Sequence, residues 1–400
     1  MKIAIQCFNY APNELGGSER SALDIARSLK ARRHDVRVVV SDGSRPYPDH
    51  VDNIPIEVVQ GLPIGKSPLH GARHFATRMA WILRSEIDPV LFLRSLQWLR
   101  RNCPDVVLMN NPAGHGSAFM LACLLTRTAC VPVIRDYGWF CAFGTMEHGG
   151  AGCNSTLSPC FYATGLRRLI LRRQKHVVAI SNHVARIYET MLGYAPTVIY
   201  NAVPDRFLQA PRAPAPDAGT PLTFGYLGRL HPSKGVAELI TAWQNTDLAQ
   251  NGHRLLLAGD NQGIALPDDP AAAGICLTGR QEAIAFLDRL DVLFLPALWA
   301  EPFGRTVIEA MARGLFVVGS PNGGIPELIP PHRGLIPEQI DAPTLSAIFN
   351  DLAQNPDRVR ATRMQDPEPN LAPFRTTRMI DAYEDLLYRA TGLPKETRDD

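Results

Sequence analysis

Glu301-Pro302-Phe303-Gly304-Arg305-Thr306-Val307-Ile308-Glu309 is the stretch whose reading decides the fold. Just upstream, Val292-Leu293-Phe294-Leu295-Pro296 reads as a buried strand. Downstream, Val307 to Arg313 is a run of good helix formers stopped by Gly314. The layout is strand, loop, helix, with Glu301 in the loop and Glu309 inside the helix. In an open parallel sheet, ligands bind in the crevice at the carboxyl ends of the strands. Free N–H groups opening the next helix suit phosphate, and two acids beside them suit sugar hydroxyls. In isolation the pair also reads as two solvated surface charges. The rest of the chain decides between these readings.

A length of 400 residues suits two domains. Hydrophobic content of 46% with 20% charged residues fits a soluble globular enzyme and excludes a disordered or fibrous chain. The net charge of +2 hides an asymmetry. Residues 1–200 hold 23 Lys+Arg against 14 Asp+Glu, a balance of +9, and residues 201–400 hold 18 against 25, a balance of −7. The basic first half is the candidate for an anionic partner. The chain opens Met-Lys-Ile-Ala-Ile-Gln-Cys, directly in a strand pattern, so no signal peptide is expected. The longest apolar stretch, Ala118 to Ile134, is broken by Arg127 and too short to span a bilayer. The expected compartment is the cytoplasm, with its eight cysteines largely reduced and the inner face of the cytoplasmic membrane as a second candidate.

Lys2-Ile3-Ala4-Ile5, a loop ending Gly16-Gly17-Ser18-Glu19, a helix from about Ala22 to Ala31 and Val36–Val40 form a β-loop-α-β opening. Gly16-Gly17 at this junction allows close approach of backbone to a ligand; alone, it fits a tight turn equally well. Strand patterns recur at Asp105–Met109, Val131–Ile134, Ala179–Ser181 and Val198–Asn201. Alternation of strands and helices implies a doubly wound parallel sheet. The proline-rich stretch Leu208–Pro221 reads as a linker. Beyond it the rhythm restarts with strands at Thr223–Leu227, Arg254–Ala258, Val292–Pro296 and Phe316–Gly319, and a last helix is expected over Ala372–Tyr388 with Phe374 on its apolar face. The expected domains are therefore 1–205 with a returning helix at about 375–400, and 206–374. Two basic segments, residues 68–101 and Leu166–His176, carry apolar stripes. They fit an interfacial helix on anionic lipid and, as readily, a solvated helix face over an ordinary core.

Four loops at strand ends stand out: Gly16-Gly17, Arg229 to Lys234, Glu301 to Glu309, and Gly323-Gly324. Arg229 and Lys234 bracket a helix start, where a fork and a point charge suit a diphosphate. No P-loop signature is present and no G-x-G-x-x-G opens the first βα turn, so ATPase and dehydrogenase readings lack their fingerprint. The pattern fits a nucleotide-sugar held between two domains.

Gly16-Gly17-Ser18-Glu19, Asn201-Ala202-Val203, Gly228-Arg229-Leu230, Ser233-Lys234-Gly235, Glu301-x7-Glu309 and Gly323-Gly324-Ile325-Pro326-Glu327 follow in that order. Together they resemble the retaining GT-B glycosyltransferases of family 4, over nearly the whole chain. The resemblance implies an α/β fold of two Rossmann-like domains facing each other across a cleft. It also implies metal-independent transfer of a sugar, with retention, from a nucleotide-diphosphate donor to a glycan or lipid-linked acceptor. No cofactor and no nucleic-acid partner are implied. Arg229 and Lys234 match positions that bind the diphosphate and stabilise the leaving group. Glu309 matches the acid on the ribose hydroxyls and Glu301 the acid facing the sugar. The backbone of Phe303, Gly304, Arg305 and Thr306 matches the segment contacting sugar and phosphate, and Gly16 and Gly17 the loop over the donor phosphates.

Arg135-Asp136 stands where relatives carry a His-Asp-type motif, so Arg135 is read as a donor contact and Asp136 as catalytic, while a neutral imidazole role is excluded. No carboxylate presents itself as a covalent nucleophile, which favours front-face departure and attack through a short-lived oxocarbenium-like state. Cys141, Cys153 and Cys160, even with His148, lack zinc-ligand spacing and read as loop thiols. His115 reads as a structural histidine ahead of an acceptor contact. Two further readings remain open: a nucleotide-sugar epimerase on the same scaffold, and a non-catalytic nucleotide-sugar-binding protein.

Overall fold

The computed structural model describes residues 1–13, 16–41, 45–62, 86, 88–110, 117–141, 144, 146–148, 151–152, 164–215, 217 and 219–395. The chain forms two units, Met1–Asn201 with Thr377–Asp400, and Ala202–Thr376. His115, Asn111, Cys153 and Cys160, and most of the basic segment 68–101, lie outside the described residues.

The first unit runs β1 (Lys2–Cys7), α1 (Gly17–Ala31), β2 (Asp35–Val40), β3 (His50–Val51), β4 (Ile54–Val58), α2 (Pro89–Asn102), β5 (Val106–Met109), α3 (Ala118–Thr126) and β6 (Ala129–Ile134). A hairpin, β7 (Glu147–His148) and β8 (Ala151–Gly152), precedes α4 (Gly165–Leu171), β9 (Val178–Ala179), α5 (Asn182–Leu192) and β10 (Thr197–Val198). The main sheet has the order β10-β9-β6-β5-β1-β2-β4-β3. All its neighbours are parallel except β3 with β4. Helices cover both faces of such a sheet, so its strands read as unbroken apolar runs, as in Val106-Val107-Leu108-Met109, which is fully buried. The apolar stretch 118–134 resolves into α3 and β6, parted at Arg127 in the left-handed conformation (φ 56°). No helix of the described residues is long and apolar enough to cross a membrane.

The second unit runs α6 (Asp205–Gln209), β11 (Thr223–Leu227), α7 (Val236–Gln244), β12 (Arg254–Ala258), β13 (Ile275–Gly279), α8 (Ala283–Leu287), β14 (Val292–Leu295), α9 (Arg305–Ala312), β15 (Phe316–Gly319), β16 (Gly334–Leu335), α10 (Ala342–Gln354), α11 (Pro356–Met364) and α12 (Glu368–Leu371). The sheet order is β13-β12-β11-β14-β15-β16, parallel throughout. Its core centres on Phe349 of α10, with ring centroids 5.1 Å from Phe224, 5.3 Å from Trp243 and 4.4 Å from Phe294.

Three expectations need correction. The proline-rich stretch after Leu208 is no free linker: it lies on the second unit, where Arg313 donates to the carbonyls of Phe207, Ala210 and Pro211. The last helix, α13 (Thr376–Thr391), begins later than its apolar pattern suggests. Pro373 sits in a separate 3-10 turn, Ala372–Phe374, and Arg375 is extended, so Phe374 leaves the helix face and packs its ring 6.1 Å from Phe303. Third, the basic segment 166–176 is helical only to Leu171, and its Arg167 points inward. Arg167 is buried, ion-paired with buried Glu86 and donating to the Gly138 carbonyl. A buried charge needs such a partner, and periodicity alone cannot reveal one 81 positions away.

Candidate functional site

In the second unit the strand order reverses between β11 and β14, which pair directly although β12 and β13 separate them in the chain. The loops leaving these two strands flank the crevice where doubly wound sheets bind ligands. Arg229 to Lys234 leaves β11, and Ala297 to Gly304 leaves β14. They are sewn together by backbone. Gly235 has φ 68°, and a Cβ there would meet the Pro296 carbonyl oxygen at 1.8 Å, so only glycine permits this approach. The Ser233 carbonyl accepts from the amides of Leu298 (3.0 Å) and Trp299 (3.3 Å).

That docking places Lys234 against Glu301. Lys234 Nζ donates to Glu301 Oε2 and lies 4.8 Å from the centroid of the Trp299 ring. The two side chains are 18% and 19% exposed, so the pair is largely but not wholly removed from water. The loop after β15 closes the other side. Gly324 N donates to the Glu301 carbonyl (2.8 Å), and a Cβ on Gly323 (φ 76°) would meet the same oxygen at 2.2 Å. Arg229 is exposed. Its carbonyl accepts from Tyr226 Oη at 2.8 Å, and that phenol is pushed up by burial and then by the charge of Glu301, with Arg229 opposing. Arg229, Lys234 and Glu301 therefore share one end of the sheet.

Helix α9 starts from Gly304 with Arg305 and Thr306 half-buried in its first turn, where the helix dipole favours an anion. Glu309 lies one turn on, only 6% exposed, with Arg305 Nε 3.8 Å from its Oε1. Phe303 is buried, its ring packed against that of Phe374.

In the first unit the order reverses between β1 and β5. Gly16 caps α1 and Gly17 is its first residue, both exposed, and a Cβ on Gly17 would meet nothing within 4 Å. Arg135, at the end of β6, is buried. Its Nε donates to Asn110 Oδ1 and its Nη1 to Asn201 Oδ1 (2.7 Å). Asn110 reaches Ser18 Oγ (3.0 Å) and Asn201 accepts from Ser21 Oγ (3.1 Å). Arg135 thus ties the start of α1 to three strand ends, an internal use that its reading as a donor contact did not foresee. Asp136 is fixed by its own turn: Oδ1 accepts from Gly138 N (2.8 Å), and its carbonyl from Tyr188 Oη (2.9 Å).

Two residues were missed. Asn110 follows the strand pattern Asp105–Met109 and carries no motif of its own. Glu19, half-buried, accepts from the Gly16 amide; burial raises its carboxyl, with Arg135 pulling it down and Asp136 pushing it up. The spacing Gly16-x-x-Glu19 is half of a capping box and was a usable signal. Cys141 is buried, its amide donating to the Tyr137 carbonyl. Among the described residues no group of three His, Cys, Asp or Glu side chains could hold a metal ion.

The family description Glycosyltransferase Family 4 matches residues 15–207, and Glycosyl transferases group 1 matches residues 221–355. The chain belongs to glycosyltransferase family 4. This glycosyltransferase is 26% identical to the glycogen synthase of Mycobacterium tuberculosis, over 91% of the chain and 90% of that protein. It is 26% identical to a GDP-mannose-dependent alpha-mannosyltransferase of Mycolicibacterium smegmatis, over 83% of both. Among solved structures, Anabaena HepE in complex with UDP-glucose superposes with a TM-score of 0.69 at 17% identity, over 97% of this chain and 100% of that one. The fold is GT-B, with two Rossmann-like domains. The enzyme is a glycosyltransferase.

Proposed function

We propose that this glycosyltransferase moves a hexose, with retention and without a metal, from a nucleotide-diphosphate sugar to a glycan or lipid-linked acceptor of a cell-surface polysaccharide or glycolipid. The carrying observation is the joining of Lys234, Glu301 and the α9 N-terminus at the β11/β14 reversal. In this reading the diphosphate lies between Arg229, Lys234 and the first turn of α9. Glu309 accepts from the ribose hydroxyls and Glu301 from the sugar. Two cations, Arg229 and Lys234, and a helix dipole supply the leaving-group stabilisation that a metal supplies elsewhere. As the bond from the anomeric carbon to the phosphate oxygen breaks, the acceptor oxygen bonds to the same face of that carbon. Its proton passes to the departing phosphate. Glu301 bonds sugar hydroxyls and forms no covalent intermediate.

The test is a screen of UDP-, GDP- and TDP-sugars with EDTA present, following nucleoside diphosphate release and the anomeric configuration of the product by NMR. Release with a retained anomer supports the reading. An epimerised sugar, an inverted product or binding without turnover would overturn it. The Mycolicibacterium smegmatis relative is named for GDP-mannose, and the Anabaena structure holds UDP-glucose, so both bases belong in the screen.

Peripheral contact with anionic lipid is proposed through α4 and the turn after it, where Leu166 and Leu169 are exposed beside Arg168, Arg172 and Arg173. Reversing those three charges should reduce binding to phosphatidylglycerol vesicles; unchanged binding would remove the claim.

A further inference from the structure

The Lys234–Glu301 pair joins two side chains whose backbones are both pinned. Lys234 N donates to the His231 carbonyl (2.9 Å), and the neighbouring Ser233 carbonyl is held by two amides of the β14 loop. Glu301 N donates to the Trp299 carbonyl (2.9 Å), and its own carbonyl accepts from Gly324. With the backbones held, the two side chains only 18% and 19% exposed and the Trp299 ring beside the ammonium, the pair is unlike a surface pair of two long mobile chains. A phosphate arriving at Lys234 meets an ammonium that already holds an anion. One of two things follows. The carboxylate stays and repels the phosphate, or it turns away and needs another hydrogen-bond donor, because a largely buried carboxylate without one is costly.

We propose that Glu301 determines specificity for the sugar-bearing donor over the bare nucleoside diphosphate, by occupying Lys234 until sugar hydroxyls take its place, and that Trp299 is the positioning residue that holds the ammonium during this exchange. The inference rests on the donor-site reading above. A nucleotide-sugar brings its own replacement for Lys234, since the hydroxyls that accompany the phosphate bond the released carboxylate. The product nucleoside diphosphate brings none, so it binds against the Lys234–Glu301 pair and leaves readily. The face of Trp299 attracts the ammonium whichever anion is present, so the lysine does not swing away when its carboxylate leaves.

Calorimetry with UDP, GDP and TDP, and with the matching nucleotide-sugars, tests this on the full chain. Glu301→Gln keeps the side-chain shape and removes the competing charge. It should bind the nucleoside diphosphate about fivefold tighter and the nucleotide-sugar more weakly, so that the preference between them collapses. Glu301→Ala carries the same sign and serves where the amide disturbs the loop. Trp299→Leu should bind the nucleoside diphosphate about fivefold more weakly at an unchanged melting temperature, and Trp299→Phe should recover most of that loss. Glu301→Gln and Glu301→Ala with unchanged or weaker nucleoside diphosphate binding would overturn Glu301 as a stand-in and leave the donor site standing. Equal loss in Trp299→Leu and Trp299→Phe would overturn the role of the indole face. If the parent binds none of the three nucleotides, the donor-site reading itself fails and this proposal with it.

Discussion

Arg313 and Asp288 form a two-pronged ion pair, Nε to Oδ1 at 2.8 Å and Nη2 to Oδ2 at 2.9 Å, with the arginine side chain wholly buried. The remaining donors go to the Phe207, Ala210 and Pro211 carbonyls, so one guanidinium fastens α6 and the residues just after it to the end of α9. Lysine has neither the fork nor the donors for this. Arg313→Lys should therefore cost about 3 kcal/mol, by analogy with other broken buried pairs. Chemical denaturation would measure it, and limited proteolysis should open the chain near Pro211 first. A loss under about 1 kcal/mol would show that the segment holds without the clamp.

Arg135 makes a related prediction in the first unit. Arg135→His removes donors to Asn110 and Asn201, which anchor α1 through Ser18 and Ser21. Leaving buried amides unsatisfied costs about 1–3 kcal/mol. The variant should thus unfold at lower urea than the parent. Unchanged stability would return Arg135 to a role at the donor alone.

What was legible in the sequence was local. The Val292–Glu309 run carries its own punctuation, an apolar strand, Pro302, Gly304 and a helix stopped by Gly314, and all of it folds as read. Strand β4 escaped because Pro55 and Glu57 interrupt its apolar run, and β13 because it is an edge strand with Leu277 exposed. Side-chain partnerships escaped for a different reason. Lys234 and Glu301 are 67 positions apart, Arg135 and Asn201 are 66, and Arg167 and Glu86 are 81. Periodicity assigns a residue to a face, but only the fold brings two faces together. The pattern places Arg167 on a basic face turned to lipid or to water, whereas the structure buries it.

Glu19 gives a prediction in pH. Burial raises its carboxyl above the ordinary 4.5, the charge of Asp136 adds to this, and backbone donors and Arg135 oppose it. The folded state then holds the proton more tightly than the unfolded chain, so stability falls as pH rises from about 4.5 through the raised value. Glu19→Gln keeps an acceptor for the Gly16 amide and has no proton to lose. Its melting temperature relative to the parent should improve steadily between pH 4 and pH 7. Parallel melting curves across that range would mean that Glu19 is not desolvated in solution.

Glu309 decides whether α9 serves a nucleotide at all. Glu309 is only 6% exposed, and its cationic neighbour Arg305 stands 3.8 Å away, beside the first turn of the helix. Hydrogen bonds to a charged group contribute about 1.5–3 kcal/mol. Glu309→Ala should therefore weaken nucleoside diphosphate binding by about tenfold or more, with Glu309→Gln between it and the parent because the amide oxygen still accepts. The loss should be equal for the bare nucleotide and for the nucleotide-sugar, since the ribose is common to both. That separates Glu309 from Glu301, whose removal should change the two in opposite directions. Calorimetry on the same nucleotides reads both effects, and unchanged affinity in Glu309→Ala would remove α9 from the ribose site.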